Sequence, residues 1–283
     1  FIKVAAGTPD VQVADCEFNA AEIIKMVREM EAEGARVMVF PELCITAYTC
    51  GDLFWQENLL EEAKVQLMRI AEETADVDAI IFVGLPLEYK GKLYNVAAGL
   101  NHGEILGFVP KTYLPNYNEF YEARYFTSGE DVDGTVTIRR SEYGLHHDEE
   151  MTDEDVEFGL EAEVEALEEE DSFEELEEID EEPDYIDEDE TEEFDEVDVP
   201  ISSNILFICQ EMPKLKIAAE ICEDLWVPNP PSVGHAYHGA NLIVNLSASD
   251  EVVGKDSYRK SLVSAQSARL LCGYIYATAG EGE

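Results

Sequence analysis

Between residues 141 and 200 the sequence contains 32 Asp or Glu and no Lys or Arg. No other feature constrains the fold as strongly. Like charges on adjacent helical turns repel, and the sparse apolar residues of this block bury too little area to offset the entropy of ordering it. Leu160, Val164 and Leu167, then Phe173 and Leu176, keep a helical spacing, which allows a transient helix. The block is expected to be a solvated, disordered acidic insert over 141–199. The folded part is then 1–140 together with 200–283.

The insert also dominates the charge. The whole chain carries −46, but the 223 residues outside 141–200 hold 18 basic and 32 acidic side chains, a net −14. Nucleic acids require a basic footprint and anionic membranes a polybasic one, so neither partner is expected. No apolar run approaches a membrane span, and FIKVAAGTPDVQ lacks the apolar core of a signal peptide. Six cysteines scattered through apolar segments do not make a disulfide framework and predict a reduced, cytosolic protein. His146-His147 among acids has no calcium-loop spacing, and no metal site is expected. With no initiator Met and a stop at AGEGE, the chain reads as part of a longer protein.

Outside the insert, helical and apolar extended segments alternate. Residues 2–6 read as a strand, and 19–34 as an amphipathic helix with Asn19 as N-cap and Gly34 as stop. VMVF (37–40) reads as a strand buried on both faces. A helix over 58–73 places Leu60, Ala63, Leu67 and Ile70 on one face and precedes the strand AIIFVGLP (79–86). A β-hairpin turns at Asn101-His102-Gly103. After the insert come strands at 204–209, 215–221 and 240–247, a helix over 256–271 and a strand at 274–280. This order predicts a layered α/β domain with a mixed sheet.

Three reactive residues sit at strand ends, where α/β folds display catalytic groups: Glu42 after VMVF, Lys111 after the hairpin and Cys222 after LKIAAEI. Taken singly these are a rim carboxylate, a surface charge and a buried thiol. Together they form a chemical set. Lys111 supplies positive charge to a thiolate and then to an oxyanion. Glu42 takes the thiol proton, returns it to a leaving amine and activates water. Strand alternation puts Glu220 on the same face as Cys222, an uncomfortable neighbour for a nucleophile.

The Glu–Lys–Cys order, with FPEL, PKTYLPNYNEFYE and EICEDLW, resembles the nitrilase (carbon–nitrogen hydrolase) superfamily. The stretches ITAYTCGDLF, LPNYNEFYEARYF, EICEDLWVPNPPS, NLSAS and QSARLLCGYIYA are similar to the glutaminase domain of glutamine-dependent NAD+ synthetases. The resemblance implies a four-layer αββα sandwich and hydrolysis of the glutamine side-chain amide. Glu42 would be the base, Lys111 the stabiliser of the intermediate, Cys222 the nucleophile and Glu119 the superfamily's second glutamate. Tyr48, Tyr117, Phe120, Glu223 and Ser249 fall where the family holds glutamine, and a carboxylate at Glu223 suits an α-ammonium. L-Glutamine is the implied substrate, and a NAD+ synthetase domain, in the same chain or a separate subunit, the implied partner in a homo-oligomer.

No cofactor is implied for the glutaminase reaction. ATP and Mg2+ would belong to the synthetase domain, and no phosphate-cradling Gly-rich loop occurs in this sequence. The acidic block occupies a connection that is shorter in the family. Two other readings compete: a free-standing amidase or carbamoylase with the same triad, and a catalytically idle fragment whose acidic block is an interaction tail.

Overall fold

The computed structural model describes residues 1–139 and 196–280; the acidic insert, the paired histidines and the terminal Glu281–Glu283 lie outside the described residues. Residues 1–138 and 198–283 make one compact unit. The described residues outside it are Arg139, Glu196 and Val197, of which Arg139 pairs with Glu196 at 2.6 Å.

The compact unit holds two sheets. Strands β1 (Val4–Ala6), β2 (Val37–Val39), β3 (Ile80–Tyr89), β4 (Lys92–Asn101), β5 (Glu104–Pro110), β6 (Asp133–Arg139) and β7 (Glu196–Ser202) form a mixed sheet in the order β1-β2-β3-β4-β5-β7-β6. Strands β8 (Phe207–Ile208), β9 (Lys216–Ile221), β10 (Leu242–Ser247) and β11 (Gly273–Thr278) form a second sheet in the order β11-β10-β9-β8. Residues 196–199, expected in the insert, are instead part of β7. Their Val197 and Val199 alternate with polar neighbours, a period-two signal submerged in the acidic composition.

Apolar residues from both sheets share one core. Val39, Phe82, Ala97 and Val109 of the first sheet pack with Ile217, Ile221, Val244 and Leu246 of the second. Helices α1 (Cys16–Ala32) and α2 (Glu57–Glu73) pack together and α2 against β3. Helix α3 (Pro231–Tyr237) packs on β9, and α4 (Lys255–Leu270) on β11. The layers are therefore αββα. Leu60, Ala63, Leu67 and Ile70 of α2 are buried, as their spacing predicts, and each large aliphatic side chain so buried contributes about 1.5–3 kcal/mol.

Two local expectations change. Helix α1 begins three residues earlier than predicted, capped by Asp15, whose carboxylate accepts Phe18 N–H at 3.1 Å. Asn19 is not a cap. It is fully buried inside the helix and ties the Gln12 and Ile45 backbones through bonds of 2.7–3.0 Å. The 204–209 segment forms only the two-residue β8. The hairpin turn is as predicted, with His102 (φ 49°) and Gly103 (φ 81°) in the left-handed region.

Candidate active site

Glu42 is delivered by the end of β2. The chain turns there, with Leu43 at φ 52°, and β3 approaches so closely that a Cβ on Gly84 would lie 2.3 Å from Leu43 N and 2.7 Å from Pro41 O. Only glycine fits that contact. The Glu42 carboxylate is fully buried and saturated with donors. Oε1 accepts Lys111 Nζ at 2.6 Å and Asn95 Nδ2 at 2.7 Å, and Oε2 accepts Ala248 N–H at 3.1 Å.

Lys111 follows β5 directly. Its backbone N–H donates to Asn95 O at 2.8 Å, and its ammonium, 1% exposed, bridges Glu42 and Glu122, the latter at 2.7 Å. Burial opposes its charge, but the two carboxylates outweigh burial and raise its pKa.

Glu122, not Glu119, is the second carboxylate of this cluster. Glu119 is exposed on the loop, whereas Glu122 is 4% exposed and accepts both Lys111 and the Tyr48 hydroxyl, each at 2.7 Å. The 3-10 turn Glu122–Arg124 swings it inward. Both acids lie in the stretch NEFYEAR, and their spacing alone did not separate them. Glu119 and Glu122 both line, with Tyr48, Phe54, Tyr121 and Tyr125, a pocket of about 130 Å³. Asn95 and Ala248 N–H were also missed, because they reach Glu42 only through sheet packing.

Cys222 ends β9 at φ 44° and opens the 3-10 turn Cys222–Leu225. A non-glycine residue there costs about 1–2 kcal/mol, and it breaks strand alternation. The consequence settles the Glu220 problem. Cys222 joins the inter-sheet core beside Ile221, while Glu220 faces the helices, accepting Ser232 N–H at 2.9 Å and the Tyr274 hydroxyl. Glu220 is a buried structural acceptor on the opposite face, not a rival charge beside the thiol.

The electrostatics at Cys222 differ from those of a ready thiolate. Burial pushes the thiol up and the Glu42 charge adds to it, against a downward pull from Lys111; Glu122 raises it further and Ala248 N–H lowers it. Burial and the neighbouring carboxylates together outweigh Lys111, so the thiol's pKa lies above its ordinary value. A thiol raised in this way needs a base to take its proton if it is to act as a nucleophile. Glu42 and Lys111 are the charged groups that act on it most strongly.

The other predicted residues form a wall leading outward. Phe120 stands edge-on to Tyr48 (ring centroids 6.4 Å apart) and to Tyr117 (6.0 Å). The Tyr117 hydroxyl donates to Glu223 at 2.9 Å. Ser249 is buried next to Ala248, with its N–H on Thr278 Oγ1 at 3.3 Å. Lys255, paired with Asp250 and lying over the Trp226 ring, is near enough to Glu223 to lower its pKa, although burial raises that group overall. Among the described residues, no three His, Cys, Asp or Glu side chains converge as a metal site, and no helix is long and apolar enough to cross a membrane.

The profile of the carbon–nitrogen hydrolase family matches residues 3–280. The glutamine-dependent NAD+ synthetase of Mycobacterium tuberculosis is 32% identical over 283 residues, all of this chain and 33% of that protein. The human glutamine-dependent NAD+ synthetase is 26% identical over 280 residues, 99% of this chain and 32% of that protein. The chain thus spans about a third of the length of these relatives. The crystal structure of the Cytophaga hutchinsonii glutamine-dependent NAD+ synthetase superposes with a TM-score of 0.69 at 25% identity, covering 98% of this chain and 36% of that one. An amidase of the nitrilase superfamily from Nesterenkonia shares the fold, with a TM-score of 0.62 at 14% identity over 98% of this chain and 76% of its own. The αββα layers, the buried Glu42–Lys111 pair within electrostatic reach of Cys222 and the family match over nearly the whole length lead to one conclusion: the chain belongs to the carbon–nitrogen hydrolase family.

Proposed function

We propose that this chain is a glutaminase that hydrolyses the side-chain amide of L-glutamine through a thioester on Cys222. The observation that carries the reading is the buried Cys222 thiol within electrostatic reach of a Glu42 carboxylate that is itself locked to Lys111 at 2.6 Å. As sulfur adds to the amide carbon, its proton passes to Glu42, and Lys111 stabilises the developing oxyanion. The C–N bond then breaks, and Glu42 returns the proton to the departing nitrogen, which leaves as ammonia. A water loses its proton to Glu42 and attacks the thioester; sulfur leaves and is reprotonated, releasing glutamate.

Glutamine, among amides, is favoured by the outer wall. An α-amino acid presents an ammonium and a carboxylate, and Glu223 and Lys255 offer the opposite charges at one rim. Tyr48, Phe120 and Tyr117 provide a flat apolar side for the methylenes. The named relatives suggest that the ammonia feeds an NAD+ synthetase domain, where ATP and Mg2+ would act. Six free cysteines suit a reducing cytosol.

Purified chain should release ammonia from L-glutamine far faster than from L-asparagine or simple aliphatic amides. Equal rates with simple amides would favour a free-standing amidase instead.

A further inference from the structure

Asp224 takes no part in the chemistry above, yet it accepts from three donors, as many as Glu42 does. Its carboxylate is 2% exposed. Oδ2 accepts Ile221 N–H at 2.9 Å, and Oδ1 accepts Tyr113 N–H at 2.7 Å and Thr112 N–H at 3.2 Å. Those amides belong to the residue before Cys222 and the two residues after Lys111. We propose that Asp224 is a positioning residue, a staple that locks the nucleophile turn to the end of the lysine strand. The inference rests on the reading of Cys222 as nucleophile.

The need for such a staple follows from the topology. Lys111 ends β5 of the seven-stranded sheet and Cys222 ends β9 of the four-stranded one, so no strand ladder fixes the ammonium relative to the sulfur. The Ala248 N–H bond to Glu42 crosses between the layers, but it holds neither the backbone after Lys111 nor the turn that carries the sulfur. Cys222 is also held at φ 44°, and such a conformation persists only where its surroundings over-determine it. The Oδ2 bond to Ile221 N–H closes the turn that imposes it.

Chemistry explains the choice of aspartate. Each oxygen meets backbone N–H donors, so the site requires acceptors at both. Asparagine offers one acceptor and turns an NH2 toward an amide N–H, breaking one arm while keeping size and shape. Burial raises the Asp224 carboxyl, and the Ile221 and Tyr113 amides pull it back. A proton on either oxygen would likewise face an N–H. Glu220, by contrast, anchors the same turn from behind through Ser232 and Tyr274 and makes no bond to the lysine strand.

The test uses the full chain with Asp224→Asn, and Asp224→Ser if the first variant does not fold. Misplacement by about 1 Å costs on the order of 10²-fold in rate, so kcat with glutamine should fall about that much while KM moves less than about threefold. In parallel, iodoacetamide labelling of Cys222, followed peptide by peptide across pH, should shift toward the profile of an ordinary thiol. That second arm needs no glutamine turnover. If the native chain fails to hydrolyse glutamine but the labelling profile shifts, the substrate assignment falls and the staple stands. An unchanged labelling profile, or a kcat loss that only tracks the unfolded fraction, overturns the staple.

Discussion

The two ends of the site are held in different ways. At the inner end Glu42, Lys111 and Glu122 are 0%, 1% and 4% exposed and share bonds of 2.6–2.7 Å. At the outer end Tyr117 is 51% exposed and Glu223 half-buried, joined by one hydroxyl at 2.9 Å. A buried charge cluster tolerates no missing member, because each desolvated ion is stabilised by its neighbours. A rim pair in high dielectric is worth little to the fold. The inner charges are therefore built into the folded state, while the rim pair remains adjustable.

That contrast can be broken at several points. Cys222→Ala should cut ammonia release more than about 10⁴-fold, because a covalent route is lost entirely. Residual activity within tenfold of the native chain would move the nucleophile elsewhere. Lys111→Met strands two buried carboxylates and should cost about 3–5 kcal/mol in a denaturant melt. The exposed Arg124–Asp52 pair, at 3.0 Å, should cost no more than about 1 kcal/mol when Arg124 is removed. Similar losses in the two variants would erase the distinction between the ends.

Glu122 adds a pH dependence. Burial pushes its carboxyl from 4.5 up to about 7 against the pull of Lys111. A carboxyl raised in the folded state binds more protons there than in the unfolded chain. Its contribution is thus fully present below about pH 4.5 and is lost as pH rises through about 7. The Tm of the native chain relative to Glu122→Gln should fall across that window; a difference that stays flat would contradict the assignment. At the rim, Glu223→Gln should raise KM for glutamine about tenfold and change kcat less than threefold, a loss of about 1.4 kcal/mol. Smallest of all, Glu119→Gln should leave stability within about 0.5 kcal/mol and activity unchanged, since Glu119, unlike Glu122, is exposed and does not touch Lys111.

The periodicities were legible because they are local. Leu60, Ala63, Leu67 and Ile70 mark a helix face wherever the helix packs, and VMVF can only be a strand covered on both sides. Strand-end Glu42, Lys111 and Cys222 were legible for the same reason. Glu122 was not, because two acids three residues apart in an irregular loop carry equal local signals, and a single 3-10 turn chooses between them. Strand alternation put Glu220 and Cys222 on one face because it assumes an extended residue at Cys222, whereas the positive φ there carries the cysteine's own side chain into the inter-sheet core.

The amino-acid sequence by itself determined the α/β alternation and the strand ends that carry Glu42, Lys111 and Cys222, both consequences of periodicity along the chain. Tertiary structure alone decided which carboxylate meets Lys111, which face Glu220 takes and how Asp224 joins two sheets. Those outcomes depend on backbone amides and side chains brought together across 11 to more than 100 residues of sequence, contacts that no local pattern encodes.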